Sequence, residues 1–155
     1  MKKRKRGRII ADIDSIVGKL IKIRDCWTCQ HCKASVSSHN AHWSHVVPKR
    51  GHIYLRWNPM NTKTLCFSCH KNWWHQNILE SCHWFEKKFP ERHAYIYEEI
   101  SDGLGGITTR YGKAVQWKDK QLVEILEELK HLCEIGMPPR ASAILAWWQE
   151  YLEEL

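Results

Sequence analysis

The chain has 155 residues, with 24 Lys and Arg against 17 Asp and Glu, for a formal net charge of +7. That length suits one domain with appendages and a modest core, and no apolar run approaches a membrane span. Seven cysteines behind a start that does not resemble a leader point to metal ligation in a reducing cytoplasm, not to a secreted disulfide scaffold.

The charge is unevenly spread. Lys2, Lys3, Arg4, Lys5, Arg6 and Arg8 crowd the front, so residues 1–11 read as a basic flexible arm. The rear holds Glu124, Glu127, Glu128, Glu134, Glu150, Glu153 and Glu154, and this polarity suits a polyanionic ligand at the front. From Asp12 to Arg24, Ile13, Ile16, Val17, Leu20 and Ile21 recur at helical spacing, with Asp12 or Asp14 as N-cap. WTCQHCKAS (27–35) reads as a metal-binding knuckle. Cys26/Cys29 and Cys29/Cys32 both have the Cys-x-x-Cys spacing, so two registers are open.

Residues 40–47 and 53–57 are expected as strands joined at Pro48–Gly51, and Asn58-Pro59 starts a loop that carries Asn61. Leu65 to Cys69 forms a second knuckle, and a helix begins near Cys69 and runs through KNWWHQNILE. Phe85 and Phe89 suit a short helix closed by Pro90, and Tyr95, Tyr97 and Ile100 continue a helical pattern. SDGLGG (101–106) is a turn. Leu122, Ile125, Leu126, Leu129, Leu132 and Cys133 stripe a clear helix over 121–135, ended by Gly136 and two prolines. A last helix follows from about Ala141. These two helices either fold back on the core or form the seam of a homodimer. The expected organisation is an arm (1–11), a zinc-stapled domain (12–100) and a helical extension (101–155).

Two Cys-x-x-Cys pairs suit a tetrahedral zinc ion, because each short turn presents two sulfurs to one metal. Thirty-three residues separate Cys32 from Cys66, more than a zinc ribbon usually has and enough for a hairpin. Lys49, Arg50 and Arg56 on that hairpin are candidates for phosphate contacts in DNA, the two arginines through their forks. Trp27, Trp43 and Trp57 are read as packing residues. Trp73 and Trp74 are also read as packing, with stacking on unpaired bases as the alternative.

SHVVPKR (44–50), LRWNPMN (55–61) and LCFSCH (65–70) place His45, Asn61 and His70 in the order and spacing of the HNH nucleases. The wording resembles phage recombination endonucleases of the Rap/NinG type over roughly residues 22–100. That resemblance implies a small α+β fold, a ββα-metal (HNH) core stapled by a four-cysteine zinc site and flanked by N-terminal and C-terminal helical extensions. It favours Cys29, Cys32, Cys66 and Cys69 as the structural zinc ligands. It implies a DNA endonuclease of a bacterial host cytoplasm, acting on branched or recombination intermediates. His45 would be the general base, Asn61 would fix the strand that carries it, and His70 would hold catalytic Mg2+ or Mn2+. Many HNH enzymes carry a metal ligand directly before the base, where this chain has Ser44. His75 is therefore the next ligand candidate, followed by Asn77 and His42, although strand alternation sets His42 on the face opposite His45. A non-catalytic zinc-finger nucleic-acid-binding or adaptor protein is the alternative.

Overall fold

The computed structural model describes residues 6–49, 55–100, 118–136, 145–146 and 148–151. Helix α1 spans Arg6–Arg24 and starts six residues before the expected Asp12. The apolar stripe is longer than it looked: Ile9 lies one turn before Ile13 and is buried with it, together with Val17, Leu20 and Ile21. Residues 6–11, expected as part of an arm, are thus helix, and Arg6 pairs with Asp119 at 2.7 Å.

Asp119 opens the C-terminal helix, here called α4 (Asp119–Gly136). Its Leu122, Ile125, Leu126 and Leu129 join the α1 stripe, Trp57, Leu145 and Trp148 in one core. Among the described residues this helix packs on α1 within the chain. The Trp148 indole donates to the Trp57 carbonyl at 3.0 Å and ties the last helical residues to the middle of the chain.

The sheet has two antiparallel strands, β1 (Ala41–His45) and β2 (Thr62–Cys66), with Ala41 opposite Cys66 and His45 opposite Thr62. The expected partner of the first strand, 53–57, is not a strand where it is described. Side chains capture its carbonyls instead: Asn61 takes that of Leu55 and His45 that of Arg56. Those two carbonyls are thereby satisfied without a strand partner. β2 begins directly after the loop and carries Thr62 and Thr64, β-branched residues that suit a pleated surface. Trp43 lies against Gly18, where a Cβ would meet its ring at 3.3 Å, so the glycine lets α1 approach the sheet closely.

After β2 comes a wide π-type turn at Cys69–Trp74, then α2 (Ile78–Lys88) and α3 (Pro90–Ile100). The single helix expected from Cys69 to Glu80 is therefore interrupted at 75–77. Pro90 ends one helix by starting the next, where its missing N–H costs nothing. Leu55, Leu65, Trp74, Phe85 and Ile96 fill a second core beneath this segment. The 101–106 turn, Arg50 and most of the last helix lie outside the described residues. No helix among the described residues is long and apolar enough to cross a membrane.

Candidate metal centre and histidine site

The Sγ atoms of Cys29, Cys32, Cys66 and Cys69 lie within 4.8 Å of one another. Cys32 and Cys66 are 3.8 Å apart, which is the separation that Zn–S bonds of about 2.3 Å give in a tetrahedron. The four residues fit a structural zinc ion. Burial raises the Cys29 thiol, but N–H groups of Cys66, Cys32 and His31 outweigh it and lower its pKa, whereas burial and the neighbouring thiols push Cys69 up. The Cys29 thiolate forms readily, whereas those of Cys32 and Cys69 need a cation to hold their charge.

Cys26 is outside the cluster for a backbone reason. The Trp27 N–H bonds back to the Lys22 carbonyl at 2.8 Å and the Cys26 N–H to Ile23 at 2.9 Å, a Schellman close to α1. Cys26 occupies the left-handed position of that motif, φ 52°, and its side chain is exposed. The register is Cys29 with Cys32. His31, inside the knuckle, sets Nδ1 3.3 Å from Cys69 Sγ and stacks on Trp73 with ring centroids 3.6 Å apart. Trp73 is thus partnered, and Trp74 is buried with its indole N–H on the His45 carbonyl.

Asn61 is fully buried and closes the loop between the strands. Its Oδ1 accepts from Val47 N at 2.8 Å, and its Nδ2 donates to the carbonyls of Val47 at 3.0 Å and Leu55 at 2.9 Å. Its own carbonyl accepts from Val46 N at 2.8 Å. These bonds set where β1 ends and so fix His45. The His45 Nε2 lies 2.9 Å from the Arg56 carbonyl; only an N–H can bond a carbonyl, so Nδ1 keeps the lone pair. Burial lowers the His45 pKa to about 4, against the opposing pull of that carbonyl, and leaves the ring neutral.

His42, on the other face of β1, meets His70, with the two Nδ1 atoms 3.1 Å apart. His70 Nε2 lies 3.1 Å from His75 Nε2. On an α-helix, residues five apart diverge by about 140°; the π-type turn at Cys69–Trp74 brings this pair together. Burial, then His75 and His42, lower the His70 pKa to about 4. The His45 ring faces Trp43, 4.4 Å between centroids, on the α1 side. The structure therefore brings His70 to His75 and His42, while the rings of His45 and His70 occupy opposite faces of the strand.

Two of the expected phosphate ligands, Arg56 and Lys49, meet Asp14. Arg56 bonds Asp14 through Nε at 2.8 Å and Nη2 at 2.6 Å, the Trp57 indole adds a third bond at 2.8 Å, and Lys49 reaches the same carboxylate at 3.5 Å. Asp14, one of the two cap candidates with Asp12, lies inside α1 and anchors this group. Arg24 and Arg92 were missed altogether. Arg24 donates to the carbonyls of Pro59 and Thr62, each at 2.9 Å, and Arg92 to those of Met60 and Thr62, so both brace the Asn61 turn. Lys63 was also missed. It is buried with its Nζ 3.1 Å from the centroid of Trp74, and burial, then Arg92, hold its pKa well below the usual lysine range. Nothing in the spacing of these residues marks them; each becomes visible only through its partner.

In comparisons with family models, curated proteins and solved structures, nothing matches this chain.

Proposed function

We propose that this protein is a metal-dependent DNA endonuclease of HNH type, with His45 as general base, Asn61 as the group that positions it, and His70 with His75 as ligands of a catalytic divalent ion. The observation that carries the reading is the state of His45: a neutral imidazole, one nitrogen fixed by the Arg56 carbonyl, the other carrying a lone pair. That is what abstraction of a proton from water requires. A phosphate against the ring would raise its low pKa, since a nearby anion favours imidazolium. The bound divalent ion would supply charge neutralisation at the scissile phosphate and the leaving oxygen. Lys71, whose charge acts on His42, His70 and His75, would attract the DNA backbone in this reading.

A second reading has an observation of its own. The rings of His45 and His70 lie on opposite sides of β1, which favours a non-catalytic zinc-stapled nucleic-acid-binding or adaptor protein. Plasmid cleavage with magnesium, manganese or zinc separates the two. Cleavage that is lost in His45→Ala, with zinc content and folding kept, supports the endonuclease. Binding to DNA without a cut under every metal supports the adaptor. A panel of duplex, flapped and four-way-junction DNA then defines the substrate.

A further inference from the structure

The chain His42–His70–His75 poses a question of proton placement. A neutral imidazole has one N–H and one lone pair, yet His70 has an imidazole nitrogen 3.1 Å from each of its own nitrogens. It can offer a lone pair on one side only, and its N–H must go to the other. The two ends differ. His75 is exposed, whereas His42 is partly buried beside the edge of Phe67, 5.4 Å between centroids. The exposed His75 end is the more open to an ion with water or phosphate among its ligands. The Nε2 pair there is spaced as two neighbouring ligands about 2.1 Å from one ion would be.

We propose that His70 and His75 hold a borderline first-row dication through their Nε2 atoms, and that His42 is the outer acceptor that takes the Nδ1 proton of His70. A metal-bound histidine ordinarily gives its second N–H to a carboxylate or carbonyl, which fixes tautomer and orientation; here another imidazole does so. The donor set also selects the ion. Imidazole suits zinc, cobalt, nickel or copper, whereas magnesium wants oxygen ligands. The inference rests on the metal half of the proposed function and not on hydrolysis.

The test is a cobalt titration of the full chain with zinc already in the cysteine site, followed by visible absorption and calorimetry. One further cobalt per chain is expected, lost in His70→Ala and in His75→Ala, and undisturbed by a large excess of magnesium. His42→Phe should weaken it on the order of 10–100-fold, and His42→Asn, which keeps an acceptor, should recover most of that. No second ion, displacement by magnesium, or equal weakening in both His42 variants overturns the proposal, the last because it would mean packing alone. Zinc retention and circular dichroism confirm that each variant folds. Cobalt binding without DNA cleavage would leave this inference standing and remove the hydrolase reading.

Discussion

Trp74 donates its indole N–H to the backbone carbonyl of His45, 3.1 Å away. The segment that carries His70 and His75 is thereby tied to the strand that carries His45, through the backbone and not through the imidazoles.

Asn61 should be the most sensitive polar residue in the fold. Asn61→Ala removes the partner of the Val47 N–H and a bond from each of the Val47 and Leu55 carbonyls inside the protein. A loss of about 2–4 kcal/mol in urea denaturation is expected. Asn61→Asp should recover little, because a carboxylate cannot donate to the Val47 and Leu55 carbonyls.

Asp14→Ala should cost about 2–3 kcal/mol, since it strands the Arg56 guanidinium and the Trp57 indole together. If Arg56 binds DNA phosphate while still paired, Arg56→Lys should weaken DNA binding with little loss of stability. The structure favours the opposite pattern: a lower Tm and unchanged affinity.

Stability should fall on the acid side of neutrality. His45 titrates near 6.5 when unfolded and at about 4 when folded, so between those values the unfolded chain binds the extra proton. The contribution is complete above pH 6.5 and is lost as pH drops towards 4. A Tm profile of the zinc-loaded protein should show this slope, to which His70, also lowered to about 4, contributes, and His45→Gln should make it shallower.

Cys32→Ser should abolish stoichiometric zinc, and Cys26→Ser should leave it unchanged, because only the former belongs to the sulfur cluster. Chelation of the wild-type protein should lower Tm and release both knuckles, since metal-binding energy in such sites is folding energy.

Lys63→Met should be neutral or stabilising in the same denaturation assay. It replaces a desolvated amine over Trp74 with a side chain of similar length that needs no partner. Lys63→Ala should destabilise by about 2–4 kcal/mol through the cavity it leaves.

The sequence made the four cysteines legible because their chemistry is tied to local spacing, and made the α1 and α4 stripes legible because burial repeats with the helix. It did not reveal which strand pairs with β1. Residues 53–57 look extended, but the carbonyls of Leu55 and Arg56 are claimed by Asn61 and His45, a contest between side chain and backbone that no periodicity reports. Cys26 was ambiguous for a similar reason: two identical spacings, decided by a left-handed helix close. His42 was set on its correct face by alternation, yet its partner across the sheet lay on a turn whose winding could not be read.

That winding has a consequence for comparing sequences. Regular α-helices bring together histidines four apart, so a pattern written for that interval passes over His70 and His75. Deleting one of the four residues between them should relax the turn to ordinary pitch and keep the pair in register. Two chains differing by one residue there would then present the same pair of rings, and an alignment that scores the gap as damage would separate them wrongly.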